Sequence, residues 1–485
     1  MGYLIQLLLA AAFLQPVSAE CRLVTRGLSR DLILLGTVLT PEGAQPDAAV
    51  FVQAGLIAHV GDLGGLGTRG RDASVLDCRG GGGSVISPGF INTHEHIAFS
   101  ALPPFPNTGE RVSHRHDWRL GARNRTVRPA VLLSGSEGTS TAWGELRHLF
   151  AGTTSVIGGA MAPGLARNLD FAEGLGADLD AGARGAVLYD TFPLRDAHGV
   201  MREGDCDYGA EGLDRAVVAR YRRYIGHVGE GVDAAAANEF ACLSNATYDT
   251  VPVAGAGGLS TDIMGPNVAL VHALGLGARD FDVVAARGAK VVWSPRSNMA
   301  LYGRTLDVGA LLAAGITVAL GTDWLPSGSA TMAREAVCAA QAAYQGYGVR
   351  LAPRVLWEMA TVNAAVVAGF EDRLGALEVG KLGDVVVFGE VVGEGGGDPF
   401  AQAIFAPQER VELVLRGGKI LLASAEIGDL TSEECEVVAF GASDKVVCVA
   451  DELGSSFKEF EASLGGGYPA VLPDVPPDEP TCKPL

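Results

Sequence analysis

Short apolar runs recur along the chain, and between residues 85 and 374 they alternate with helical patterning. The runs at 85–91, 153–157, 186–189, 224–228, 268–272, 290–293 and 317–320 are rich in Val, Ile, Leu and Ala, as strands covered on both faces are. Ala-rich stretches with helical spacing lie between and after them, at 143–150, 213–224, 310–314, 331–344 and 352–360. A weaker eighth strand fits near 165–169. This alternation predicts an α/β fold with a parallel sheet, of a length that suits a (β/α)8 TIM barrel. Strand-like runs at 32–38 and 48–60 precede the barrel, and others at 384–388, 411–415 and 419–422 follow it. They predict a small β-sandwich domain built from both flanks, with parts at 20–87 and 376–450 and the barrel at 88–375 between them. The Pro-rich segment 451–485 reads as an extended or disordered tail.

The N-terminus carries an apolar run from Leu4 to Leu14, then Val17-Ser18-Ala19. Small residues after an apolar run predict a signal peptide over 1–19, although no basic residue precedes the run. The protein is therefore expected to be secreted or periplasmic. Glu20 is not the small residue that a lipid anchor on Cys21 would need before it. Beyond this leader no apolar run reaches the roughly 20 residues of a membrane span. The eight cysteines suit an oxidising compartment. Cys435 and Cys448 flank two short strand-like runs and are expected to pair, against the alternative of buried thiols, which the apolar setting of Cys338 suits.

Composition narrows the classes further. At 48% hydrophobic and 19% charged residues, the chain is not a disordered one. Its net charge of −19 disfavours a nucleic-acid partner, since phosphate binding relies on clustered Lys and Arg. A small-molecule substrate fits better, and a homo-oligomer stays open.

The nine histidines carry the chemistry. One apolar run ends in His94-Glu95-His96, and on a strand residues two apart share a face. Another ends in His227-Val-Gly-Glu230, a third in His272, and the last in Gly-Thr-Asp323-Trp324. His94 and His96 on one face form half of a divalent-metal site, and all of these residues fall at the strand ends where barrel active sites form.

With these motifs the chain resembles the amidohydrolase superfamily, in its mononuclear branch of cytosine, guanine and S-adenosylhomocysteine deaminases and triazine hydrolases. The resembling elements are Pro88–His96, Gly152-Thr-Thr154, His227-x-x-Glu230, His272, the segment from Trp293 through Ser294-Pro295-Arg296 to Gly303, and Gly321-Thr-Asp323. The resemblance implies that His94, His96, His227 and Asp323 bind one divalent ion, zinc or alternatively iron. It also implies that Asp323 takes a proton from the metal-activated water, Glu230 donates one to the leaving nitrogen, and His272 stabilises developing negative charge. A carboxyl in an apolar barrel mouth is expected to have a raised pKa, as a proton donor requires. Binuclear relatives bridge two metals with a lysine on the fourth strand. The first lysine here is Lys290, which favours one metal and leaves only a Glu or Cys, such as Cys206, as a bridge. The loop after the first strand offers His114, Arg115, His116, Asp117, Trp118 and Arg119 as candidates for substrate contact. Arg296 and Trp324 are further candidates, Arg296 for an anionic group.

The expected activity is hydrolysis of a non-peptide carbon–nitrogen bond, by deamination of a cyclic amidine or heterocycle. Hydrolysis of a cyclic amide, lactone or other ring substituent is the alternative, and a catalytically silent binding scaffold is a third reading.

Overall fold

The structure is a computed structural model that describes residues 21–80, 83–128, 137–175, 179, 185–209, 213–251, 259–390 and 397–484. The expected signal peptide lies outside the described residues. Eight parallel strands form the centre: β1 (Phe90–Asn92), β2 (Thr153–Val156), β3 (Arg167–Asn168), β4 (Leu188–Asp190), β5 (Tyr224–Val228), β6 (Val268–His272), β7 (Lys290–Trp293) and β8 (Val318–Leu320). Strands β1 to β3 pair in one ladder and β4 to β8 in another. Two contacts join the ladders. The Val187 amide donates to the Leu169 carbonyl beside β4, and His94 and His96 exchange backbone hydrogen bonds with Asp323 beyond β8.

Alternation along the strands separates two packed layers. Tyr224, Val268, Leu270, Val291, Val318 and Leu320 cluster with Leu311, Ala336 and Leu356 of the covering helices. The intervening residues Ile225, Ala269, Val292 and Ala319 cluster with Ile91 and with Phe370, and so fill the barrel interior. His227 continues the inward parity of Ile225, which carries its ring into the barrel mouth.

Three local expectations change. The run 85–91 is two strands. Val85–Pro88 pairs with Val385–Phe388 in the flanking sheet, and β1 begins after Gly89. A Cβ on Gly89 would fall 2.2 Å from Thr154 Oγ1, so the Thr154 side chain packs against the chain here only because the residue is glycine. The helix expected over 213–224 is only Arg215–Val218. Past it the chain leads into β5, with Arg222 and Arg223 donating to the carbonyls of Gly369 and Val366. The flanking domain is one continuous eleven-stranded sheet drawn from both ends of the chain. It folds over a core that includes Leu34, Val50, Leu76, Ile86, Val385 and Leu413.

The proline-rich tail is packed, not loose. Ala450–Leu453 and Phe457–Ser463 are helical. Tyr468 and Leu472 then bury against Leu325 and Ala330, in the loop after Asp323. All eight cysteines pair: Cys21–Cys78, Cys206–Cys242, Cys338–Cys482 and Cys435–Cys448. Cys338 thus ties a core helix to the tail, and Cys206 is unavailable as a metal bridge. No described helix is long and apolar enough to cross a membrane.

Candidate metal and catalytic centre

At the C-terminal ends of the barrel strands the side chains of His94, His96, His227, His272, Glu230 and Asp323 converge. His94 Nε2 lies 3.1 Å from His227 Nε2, which lies 3.2 Å from His96 Nε2. Asp323 Oδ1 is 3.3 Å from His94 Nε2 and 3.6 Å from His96 Nε2. Glycines permit this convergence at two points. Gly229, with φ 69°, turns the chain between His227 and Glu230. A Cβ on Gly321 would fall 2.5 Å from His94 Cβ, so only glycine lets the last strand end pass the first. His272 and Asp323 both sit at φ 65°, a backbone conformation that non-glycine residues rarely adopt away from functional sites.

The donor set fits a divalent cation. His227 Nδ1 lies 3.2 Å from the Asp190 carbonyl, which can only accept, so this nitrogen carries the proton and Nε2 presents its lone pair to the centre. His94 Nδ1 is likewise engaged, 2.7 Å from Ser294 Oγ. Imidazoles oriented through the far nitrogen are the usual arrangement around a bound metal. Burial, reinforced by the neighbouring imidazoles, holds His94 and His227 well below the ordinary histidine pKa. Burial pushes His96 down to about 4. All three rings are therefore neutral at physiological pH, as donors to a metal ion must be. Burial, with Glu230 nearby, pushes Asp323 well above the usual carboxylate range, a bias that a cation reverses.

The remaining groups are fixed from one segment. Ser297 Oγ donates to Asp323 Oδ2, and Tyr302 donates to Glu230 Oε1 at 2.7 Å. His272 Nδ1 lies 2.9 Å from Asn298 Oδ1, an acceptor, so it carries the ring proton. Its Nε2, 3.9 Å from both Glu230 Oε1 and Asp323 Oδ2, is then an acceptor in the neutral ring. Burial lowers the His272 pKa, which favours that neutral form, so the ring does not rest as the donor that charge stabilisation calls for. Glu230 also departs from expectation. Burial, the largest influence, pushes its pKa up, yet it lies below the ordinary value, with the charged Arg115 and the Tyr302 hydrogen bond among the groups that favour the carboxylate.

A cavity of ≈ 260 Å³ opens above these groups, and Phe99, Trp118, Phe192, Trp324, Arg119 and Thr191 wall it. Of the expected substrate contacts, Arg115, Trp118, Arg119 and Trp324 line it, while His114, His116, Asp117 and Arg296 do not. His114 caps the helix Arg115–Leu120 and faces Glu239 at 3.4 Å. His116 is buried on Asp196 at 2.9 Å. Arg296 points into the C-terminal tail, donating to the Pro480 carbonyl at 2.6 Å and pairing with Glu479 at 3.2 Å. Ser329 Oγ and the Arg334 carbonyl hold the guanidinium there, away from the cavity. Phe99, Thr191 and Phe192 on the wall were not singled out in the sequence, because loop residues with no periodicity give no signal. Tyr302 and Ser297 lay within the resembling 293–303 segment, which marked them only collectively.

Comparisons with known proteins agree with this geometry. The model of the "Amidohydrolase family" matches residues 215–421. A 5-methylthioadenosine/S-adenosylhomocysteine deaminase of Desulforudis audaxviator is 40% identical over 124 residues, which is 25% of this chain and 29% of that protein. The chain thus spans less than a third of that relative's length. The enzyme of the same description from Moorella thermoacetica is 26% identical over 78% of this chain and 90% of its own. Among solved structures, the zinc complex of atrazine chlorohydrolase from Arthrobacter aurescens superposes with a TM-score of 0.59 at 20% identity, covering 83% of this chain and 97% of that one. The barrel, the convergence at its strand ends and the match over residues 215–421 agree with the resemblance of this chain to the amidohydrolase superfamily.

Proposed function

We propose that the protein is a hydrolase that uses one zinc ion to deaminate an amino-substituted heterocycle. The observation that carries this reading is the set of three imidazoles and one carboxylate facing Glu230 and His272 under an aromatic-walled cavity. The matched relatives described as deaminases support the reaction class, and the zinc-bound neighbour supports the metal. His94, His96, His227 and Asp323 would hold the ion. When bound there, a divalent cation lowers the pKa of a coordinated water from 15.7 toward about 7.

The chain's own residues then handle the water's two protons. Glu230 rests ionised, with Oε1 occupied by Tyr302, so its Oε2 takes one proton and passes it to the ring nitrogen. Asp323 takes the other at Oδ2 and passes it to the leaving amine, which departs as ammonia. His272, neutral, offers its Nε2 lone pair to a hydrogen of the attacking water or of the substrate. The aromatic wall excludes bulk water and stacks a planar ring. Four disulfides support the further reading that the protein is exported.

Two measurements on purified protein check this together. Anomalous scattering at the zinc edge is expected to show one peak among His94, His96, His227 and Asp323, and two peaks about 3.5–4 Å apart would refute the single-metal reading. Glu230→Gln is expected to lower turnover by about 10²–10⁴-fold with metal content unchanged. Loss of the metal in that variant would make Glu230 a ligand instead.

A further inference from the structure

Arg119 stands out on the cavity wall. Its guanidinium lies over the Phe192 ring, 4.3 Å from the centroid. One nitrogen is 2.9 Å from His116 Nδ1, and another donates to the Ala197 carbonyl at 3.2 Å. Arginine can only donate, so His116 Nδ1 accepts, and His116 Nε2 carries its proton toward Asp196. A buried Asp–His pair thereby fixes the arginine's orientation. Burial keeps His116 below the ordinary histidine pKa, consistent with the neutral tautomer this arrangement requires.

The charge so placed has no counter-ion at hand. Among the described residues no carboxylate oxygen lies within 4.0 Å of an Arg119 nitrogen, and Glu230 and Asp196 act on it only over longer distances. The adjacent Arg115 differs, since it pairs with Asp196 at 2.6 Å and Glu239 at 3.0 Å. Among the described residues, two of the five guanidinium N–H groups of Arg119 find partners and three do not. A half-buried, pre-oriented guanidinium with spare donors in a cavity that also holds Glu230 is a fork for a carboxylate-like anion. The cavity, at ≈ 260 Å³, lies below the roughly 300–1,000 Å³ of drug-sized ligand sites.

The geometry points to Arg119 as an anion subsite, and to a substrate that is a compact amino-heterocycle bearing a carboxylate close to its ring. This deepens the deaminase reading and rests on it for the amino group. Binding of the anion does not rest on it, so the two can fail separately.

The test is fluorescence titration of the zinc-loaded protein, read through Trp118 and Trp324 on the cavity wall. The probes are two matched pairs without a leaving amine: nicotinate against nicotinamide, and uracil-5-carboxylate against uracil-5-carboxamide. In the wild type each carboxylate is expected to bind at least 10-fold more tightly than its amide. Arg119→Gln is expected to abolish that preference and Arg119→Lys to keep part of it, with melting temperatures confirming that both variants fold. Equal affinities within the pairs, or no saturable carboxylate binding, would overturn the proposal from the wild type alone. A preference that survives Arg119→Gln would overturn it too, placing the carboxylate on the metal. Ammonia release from aminoheterocycles in a protein that shows equal affinities within both pairs would leave the deaminase reading standing while this one falls. Carboxylate preference without any ammonia release would do the reverse.

Discussion

At the scale of single residues, the site depends on positions that carry no reactive group. Gly321 is the clearest case. An added methyl there would fall 2.5 Å from His94 Cβ and 2.8 Å from the His94 backbone nitrogen. Neither is the far end of a flexible chain, so the backbone itself must move. Gly321→Ala is therefore expected to destabilise the fold by about 1–3 kcal/mol, as overpacking does, and to weaken metal retention by displacing His94. Denaturant unfolding and metal analysis check both effects, and wild-type values for the two would show that the strand ends are not in such close contact. The residues that converge at the centre were legible because each closes an apolar run. What each does was less legible. The Glu230 pKa depends on Tyr302 and Arg115, which arrive from distant segments, and the acceptor role of His272 Nε2 depends on Asn298 beyond the next strand. No pattern local to Glu230 or His272 encodes these partners.

At the scale of elements, one short segment organises the centre. Ser294 meets His94, and the helix Pro295–Tyr302 carries Ser297, Asn298 and Tyr302 to Asp323, His272 and Glu230. The same helix turns Arg296 outward to Ser329, Glu479 and Pro480. Glu479 also pairs with Arg334, and Cys482 bonds Cys338 in the helix Met332–Tyr347. The tail thus braces the helix that positions Asp323, His272 and Glu230. The Cys338–Cys482 bond joins residues 144 apart in sequence. Cys338→Ser with Cys482→Ser is expected to cost about 2–5 kcal/mol of stability. Chemical denaturation of the non-reduced protein measures it, and an unchanged midpoint would show that the tail does not brace the barrel. Proline content made this segment look extended. Its fixation was hidden because the anchors are single residues, Tyr468, Leu472, Glu479 and Cys482, too sparse to form a periodic pattern.

At the scale of the whole molecule, the barrel was readable and its surroundings were less so. Continuous apolar runs mark strands covered on both faces, and this holds for β5, β6 and β7. The flanking sheet was visible as strands but not as a single ladder, since pairing between residues 85–88 and 385–388 is a long-range event. The same long-range closure brings His94 and His96 against Asp323 and builds the proposed metal site from both ends of the barrel. The central claim is that this site hydrolyses a carbon–nitrogen bond with one bound metal ion. Ammonia release from a panel of aminoheterocycles, with and without a carboxylate, tests it most directly when measured before chelation, after chelation, and after one equivalent of zinc is returned. The account predicts release that chelation abolishes and a single equivalent restores. Release that persists in the metal-free protein, or none from the zinc-replete protein across the panel, would contradict it.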